Sequence, residues 1–368
     1  MKVIAFYLPQ FHRIKENDDW WGEGFTEWTN VRKARALFQG HRQPRTPLKE
    51  NYYNLLDKNI RQWQGKLAKK YNVYGFCYYH YWFNGKLLLE KPLEMMLEDG
   101  EPDLPYCFSW ANEPWTRTWD GKKHSILMNQ VYGGKEDWRN HFYYLLKFFK
   151  NKNYMKIGNK PVLLIYRLDQ IPDYKLMISY WTDLARKNGF DGIYISQIMN
   201  SFYDRFLDGV DARVLLEPMN TVNFHIPFAS IRSLIGKVKV FSIKTFYRST
   251  MKVPETLLNR LDYDFTWKRI INRKIMNFDV PIFPGGFVDW DNTPRRGPTG
   301  LSFVGTTPDK FYFYLSKLID KTRKEYKTDM IFINAWNEWA EGTYLEPDTD
   351  NMYEYLESIK KALDLCSN

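Results

Sequence analysis

Apolar positions along the chain gather into short, near-continuous runs separated by stretches of helical spacing. The runs are KVIAFYL (2–8), VYGFCYY (73–79), LPYCFSW (104–110), KPVLLIY (160–166), GIYISQ (192–197), ARVLLEP (212–218), VPIFPGGFV (280–288) and MIFINAW (330–336). A strand with one wet face alternates apolar and polar residues. These runs do not, so they read as strands covered on both faces. Amphipathic stretches lie between most of them: LLDKNIRQWQGKLAKKY before the second, KEDWRNHFYYLLKFFKN before the fourth, KLMISYWTDLARKNG before the fifth and PDKFYFYLSKLIDKTRKEY before the eighth. The third of these closes on Gly189, a helix stop signal. Eight strands with crossover helices and no second compositional regime predict an α/β fold, a single (β/α)8 TIM-type barrel over residues 1–368. A doubly wound open sheet is the alternative. Two segments exceed ordinary loop length, 9–55 after strand one and 219–279 after strand six. Insertions after barrel strands lie on the catalytic face, so both are expected to wall a cleft.

The bulk numbers narrow the function. At 368 residues the chain is within reach of one large barrel, and 44% hydrophobic against 26% charged residues excludes disorder. Aromatic residues make up 18%, with 14 Trp and 26 Tyr, more than a core needs. Clefts that bind sugars use such rings, because the C–H face of a pyranose packs on them while its hydroxyls take polar partners. The net charge of +10 is spread among acids without a long basic run. It reads as a solvated surface, and no nucleic-acid partner is expected. Cys77, Cys107 and Cys366 are odd in number and lack metal spacing, as in reduced thiols of a cytoplasmic protein. The start, MKVIAFYLPQF, reads as a buried strand rather than a signal peptide, and no run has the length of a membrane helix. A cytoplasmic protein without stable membrane insertion, metal or cofactor is the expectation.

Polar residues just after barrel strands converge on one rim. In chain order these are Tyr7, Gln10 and His12; Tyr79, His80 and Trp82; Trp110, Asn112, Glu113 and Trp115; Arg167; Gln197; Glu217; Asp289, Trp290, Asp291, Asn292 and Arg295; and Trp336, Asn337, Glu338 and Glu341. Together they make a surface suited to a polyhydroxyl ligand, an oligosaccharide or polysaccharide. Most have a plainer reading as well. Lone rings at strand ends more often pack, His80 is equally compatible with a hydrogen-bonded core histidine, Asp289 and Asp291 suit a turn, and Arg167 suits a pairing with Asp169. The hardest to explain structurally are Glu338 and Glu341 in NAWNEWAEG, two acids three residues apart among indoles. Like charges beside apolar rings are costly unless one acid holds a proton. Glycoside cleavage needs that division, with one protonated carboxyl for the leaving oxygen and one ionised partner.

Four motifs in order, FYLPQFHRIKENDDWWGEGFTEWTNV, SWANEPWTRTWDG, WDNTPRR and NEWAEGTYLEP, resemble the glycoside hydrolase family 99-like group, often labelled WbsX-type and found in O-antigen and capsule clusters. The resemblance runs from Phe6 to Pro347 and implies a (β/α)8 barrel. WbsX-type proteins are named glycosyltransferases, whereas related hydrolases are retaining endo-acting α-mannosidases and α-mannanases with an N-E-W-x-E-G-T motif. Carried over by that motif, the resemblance makes Glu338 the base toward the sugar 2-hydroxyl, giving a 1,2-anhydro sugar, and Glu341 the acid/base. Asp289 departs from the small residue expected before WDNTPR. The reading is a retaining glycoside hydrolase of a bacterial surface polysaccharide or its precursor. A glycosyltransferase is the alternative, with D-x-D matches at 289–291 and 348–350, and a non-catalytic glycan-binding protein is the third reading.

Overall fold

The structure is a computed structural model that describes residues 1–116, 126–200, 205–225, 254–275 and 279–366. Among the described residues, nine strand segments lie side by side along the path of the main sheet: β1 (Lys2–Tyr7), β2 (Gly75–Phe83), β3 (Tyr106–Trp110), β4 (Lys160–Ile165), β5 (Tyr194–Met199), β6 (Ala212–Leu215), β7 (Ile282–Phe283), β8 (Gly285–Phe287) and β9 (Met330–Asn334), with short hairpin strands at Lys86–Leu88 and Lys156–Ile157 off that path. Each sequential neighbour from β1 to β7 pairs in parallel, as do β8 and β9. β9 then returns to β1, with Val3 opposite Ile331 and Ile4 opposite Phe332.

The seventh predicted run is broken at Pro284, between β7 on β6 and β8 on β9. Proline has no N–H for a ladder, so a strand is interrupted there. The two pieces hold one position of eight and bend the sheet nearly closed into a barrel. Gly285 permits the bend: a Cβ at that position would meet the Leu215 carbonyl oxygen at 1.8 Å. Val3, Ile4, Ala5 and Phe6 are all buried in succession, which is why the runs show no alternation.

Helices surround the sheet. α1 (Lys15–Trp21) and α2 (Glu27–Lys33) lie in the segment after β1. They are followed by α3 (Lys58–Lys70), α4 (Lys91–Asp99), α5 (Lys135–Phe149), α6 (Tyr174–Lys187), α7 (Tyr263–Ile271), α8 (Thr293–Arg296), α9 (Pro308–Lys321) and α10 (Glu354–Leu365). α9 shows how the sequence sets one. Thr307 caps it by accepting from the Lys310 N–H, and Pro308 opens it, where no N–H is needed. Phe311, Tyr314, Leu315, Leu318 and Ile319 form its buried stripe. Truncating one such residue to Ala costs about 2–5 kcal/mol. α4 was not apparent in the sequence; it is nine residues long, carries Pro92 at its second position and stops at left-handed Gly100.

The segment 9–55 folds over the barrel end where the strands finish. Much of 219–279 lies outside the described residues, at 226–253 and 276–278, and its described part includes α7. Among the described residues no helix is long and apolar enough to cross a membrane.

Candidate active site

β9 ends at Asn334, and the chain then makes a tight turn that carries both acids. The Asn337 side chain clamps this turn to the end of β1, with Oδ1 accepting from the Leu8 N–H at 2.8 Å and Nδ2 donating to the Leu8 carbonyl at 3.0 Å. Residues Trp339–Glu341 form one 3-10 turn, closed by Gly342 at φ 63°. A side chain at 342 would be strained by that φ and would also meet the Asp291 backbone, with its Cβ 2.8 Å from the Asp291 nitrogen. Beneath the turn, buried Glu346 accepts from four donors: Tyr53 Oη at 2.7 Å, Gln64 Nε2 at 2.7 Å, Trp336 Nε1 at 3.0 Å and Trp339 Nε1 at 2.7 Å. Burial still pushes the Glu346 carboxyl up to about 7 against these bonds.

The WDNTPRR stretch supplies the counter-charge. Asp291 Oδ1 accepts from the N–H and hydroxyl of Thr293, and Asn292 Oδ1 accepts from the Leu301 N–H. This turn starts α8 and aims Arg295 at the acids. Its Nη1 lies 2.6 Å from Glu341 Oε1, its Nη2 3.1 Å from Glu338 Oε2 and its Nε 2.7 Å from Glu27 Oε1. One guanidinium therefore touches three carboxylates. Glu338 is pushed up to about 8 by burial, helped by the negative charges of Glu341 and Glu27 and opposed by Arg295. Burial thus favours the protonated form of its carboxyl.

These groups sit in a cleft of about 410 Å³. Of the residues singled out in the sequence, Gln10, Tyr79, Glu113, Trp115, Arg295, Glu338 and Glu341 line it. The segment after β1 adds Trp21, Phe25, Glu27, Thr29, Asn30 and Lys33, and the strand ends add Tyr81 and Tyr166. Sequence reasoning missed Glu27. Its signal was the acid in GEGFTEWTN, but the partner that gives it meaning is 268 positions away.

The other candidates lie behind or beside the cleft. Tyr7 donates to Gln64 inside the barrel, and His12 is buried. His80 is in the core, its Nε2 2.9 Å from His141 Nε2, where burial lowers it to about 3. Trp82 stacks on His141 and donates to Asp137. Trp110 donates to the Trp82 carbonyl, and Asn112 ties the backbone of Arg167. The Arg167 side chain pairs with Asp169 at 3.2 Å and approaches Glu113 at 3.9 Å. Gln197 holds the backbone of Arg205 and Leu207, and Glu217 pairs with Arg273 at 2.6 Å. Trp290 and Trp336 are buried.

Asp289 and Asp291 face a second, larger cavity of about 750 Å³ away from the acid pair. Their carboxylates are already engaged: Asp289 by Arg45 at 2.8 Å, Arg42 at 3.3 Å and Thr306, and Asp291 by His41 at 2.8 Å and Gln43 at 2.7 Å. The other D-x-D carboxylate, Asp348, accepts from the Tyr344 hydroxyl and the Asp350 and Asn351 N–H groups. Among the described residues no three His, Cys, Asp or Glu side chains converge as a metal site.

The barrel is shared with solved structures. The GH99 endo-α-mannosidase from Bacteroides thetaiotaomicron matches with a TM-score of 0.54 at 12% identity, covering 99% of this chain and 96% of that one. A structure described as a glycoside hydrolase-like protein matches with a TM-score of 0.55 at 14% identity, covering 98% and 93%. Identities this low show the fold alone.

Sequence comparison goes further: the chain belongs to the family described as Glycosyltransferase WbsX, which it matches over residues 3–359. It is also 34% identical over 364 residues to the uncharacterized protein WxcX of Xanthomonas campestris pv. campestris. That alignment takes in 98% of this chain and 49% of WxcX, so the chain spans about half the length of the curated relatives it matches.

Proposed function

We propose that this protein is a retaining glycoside hydrolase acting on a bacterial surface polysaccharide or its precursor, endo-acting on α-mannoside-like linkages. The observation that carries the reading is the pair Glu338 and Glu341 on one guanidinium, in a cleft walled by Trp21, Phe25, Tyr79, Tyr81, Trp115 and Tyr166. The mannoside preference rests on the fold shared with the Bacteroides endo-α-mannosidase.

The chemistry can be run on one proton shared by the pair. Burial favours Glu338 as its starting place. Transfer to Glu341 leaves Glu338 ionised beside Arg295 and arms Glu341 as acid. Glu338 then takes the proton of the sugar 2-hydroxyl while that oxygen attacks the anomeric carbon. Glu341 protonates the departing oxygen as the glycosidic bond breaks, leaving a 1,2-anhydro sugar. Water opens the three-membered ring with its proton passing to Glu341, and Glu338 returns its own to O2. Two inversions at the anomeric carbon give net retention. The rings exclude water and strengthen each charge interaction.

The alternative is a glycosyltransferase, the activity in the family's name. Against a metal-assisted D-x-D role stand the arginine, histidine and glutamine already bound to Asp289 and Asp291. Release of reducing ends from the producing organism's surface polysaccharide, lost in Glu341→Gln, tests the hydrolase reading. Consumption of a nucleotide sugar with no release of reducing ends overturns it.

A further inference from the structure

We propose that Glu27 is a positioning residue for the acid pair, acting through Arg295, so that the segment after β1 helps decide where the catalytic proton rests. The role in catalysis rests on the hydrolase reading above; the electrostatic coupling does not.

The geometry is a fork with a third prong. Arg295 offers Nη1 to Glu341 and Nη2 to Glu338, and its Nε is directed to Glu27 at 2.7 Å. The Glu27 side chain is 2% exposed, so its charge acts in a dry setting rather than at a solvated surface. It is also held firmly. Glu27 opens α2, where the Thr26 side chain caps the helix in a capping box and the Glu27 N–H donates to the Gln10 carbonyl at 3.2 Å. On the next residue the Trp28 indole donates to the Tyr53 carbonyl at 2.8 Å and packs on Trp339, with ring centroids 5.4 Å apart. α2 thus rests on α8, which bears Arg295, and on the turn that bears the acids.

A carboxylate on Nε does two things to Glu338. It draws on the guanidinium charge that would otherwise favour ionised Glu338, and it adds negative charge nearby. Both hold the proton on Glu338. The other groups facing this carboxyl are Glu341, Arg295 and the hydroxyls of Tyr79 and Tyr81; Lys33 faces Glu27. None of the tyrosines is ionised at neutral pH, since burial raises both. Removing Glu27 therefore moves Glu338 in one direction only, toward ionisation.

The test needs no substrate. Carboxyl carbon-13 NMR of glutamate-labelled protein, with the Glu338 signal identified by its loss in Glu338→Gln, follows the pair across pH. Glu27→Gln should lower the Glu338 midpoint by about one pH unit. Arg295→Lys, which keeps charge but loses the fork, should raise it. Glu27→Asp, which retains the charge but withdraws it from Nε, should give a smaller fall, and it carries the test if the glutamine variant fails to fold. A purely structural Glu27 would lower the thermal midpoint and leave the titration in place. An unmoved or raised Glu338 midpoint in a folded Glu27 variant overturns the inference. Failure of the hydrolase reading would appear separately, as turnover retained by Glu338→Gln and Glu341→Gln.

Discussion

The indole of Trp339 donates to Glu346 Oε2 at 2.7 Å, and this bond joins the turn bearing the two acids to a buried carboxylate eight residues beyond the first of them. Trp339 is also stacked on Tyr344, with ring centroids 3.8 Å apart. Trp339, one of the two residues between Glu338 and Glu341, is thus a rivet through the floor of the cleft rather than part of its lining.

Removing the acceptor beneath that rivet should damage both stability and turnover. Glu346→Leu leaves the hydrogens of Trp336, Trp339, Tyr53 and Gln64 without their oxygen partners. A loss of about 3 kcal/mol or more is expected in chemical denaturation, with Glu346→Gln losing less. In folded protein kcat should fall while KM changes little, because the turn carrying the acids loosens while the ring walls remain.

On the proposed hydrolase reading, Glu338→Gln should abolish turnover, and it should stabilise the protein at alkaline pH. The folded-state pKa of Glu338, about 8, lies above the ordinary glutamate value of 4.5. The folded protein therefore binds more protons than the unfolded chain between these values, and stability falls as pH rises through that window. Glutamine imitates the protonated acid and escapes the fall. Its Tm should exceed that of the parent by a few degrees at pH 9 and approach it at pH 4. Equal differences at both pH values would contradict a buried, protonated Glu338.

Glu341→Gln should separate substrates by leaving group. Turnover of unactivated glycosides should drop by about 10²–10⁴-fold, while aryl glycosides with acidic phenols lose less. Equal losses on both types would remove Glu341 from the acid role.

The histidine pair predicts sensitivity to acid. His80 and His141 share one hydrogen bond in a setting that holds both neutral, with burial as the main cause. His80 is lowered to about 3, below the ordinary value of 6.5, so between these pH values the unfolded chain binds more protons and stability falls as pH falls. The double variant His80→Phe with His141→Leu removes both groups together. Its Tm should show a weaker decline from pH 6.5 to 5 than the parent, read by calorimetry.

The strands were legible because burial on both faces leaves a continuous apolar run, and all eight runs hold strand residues. The break at Pro284 was visible as a residue but not as a division between two neighbours, since pairing partners lie far away in sequence. The acids were legible from spacing and surroundings. Glu27 and His141 were not, because an acid opening a short helix and a histidine within a longer one acquire meaning only from Arg295 and His80, brought to them by the folding of the barrel. Trp336 and Trp110 illustrate the converse. An indole at a strand end looks the same in sequence whether it turns to the cleft or to the core, and these two turn to the core.

The pairing of β9 with β1 also has a bearing on how the site comes into being. Glu27 is synthesised well before its partners in the site, since Arg295, Glu338 and Glu341 follow it by 268 to 314 positions. Contacts of such span form late, after the loop between them has been closed. A partly synthesised chain holds one wall of the cleft and neither acid of the pair, and Glu27 gains its guanidinium partner only once α8 has been made. Catalytic competence should then arrive with completion of the barrel, so that the appearance of activity during refolding reports the closing of its final seam.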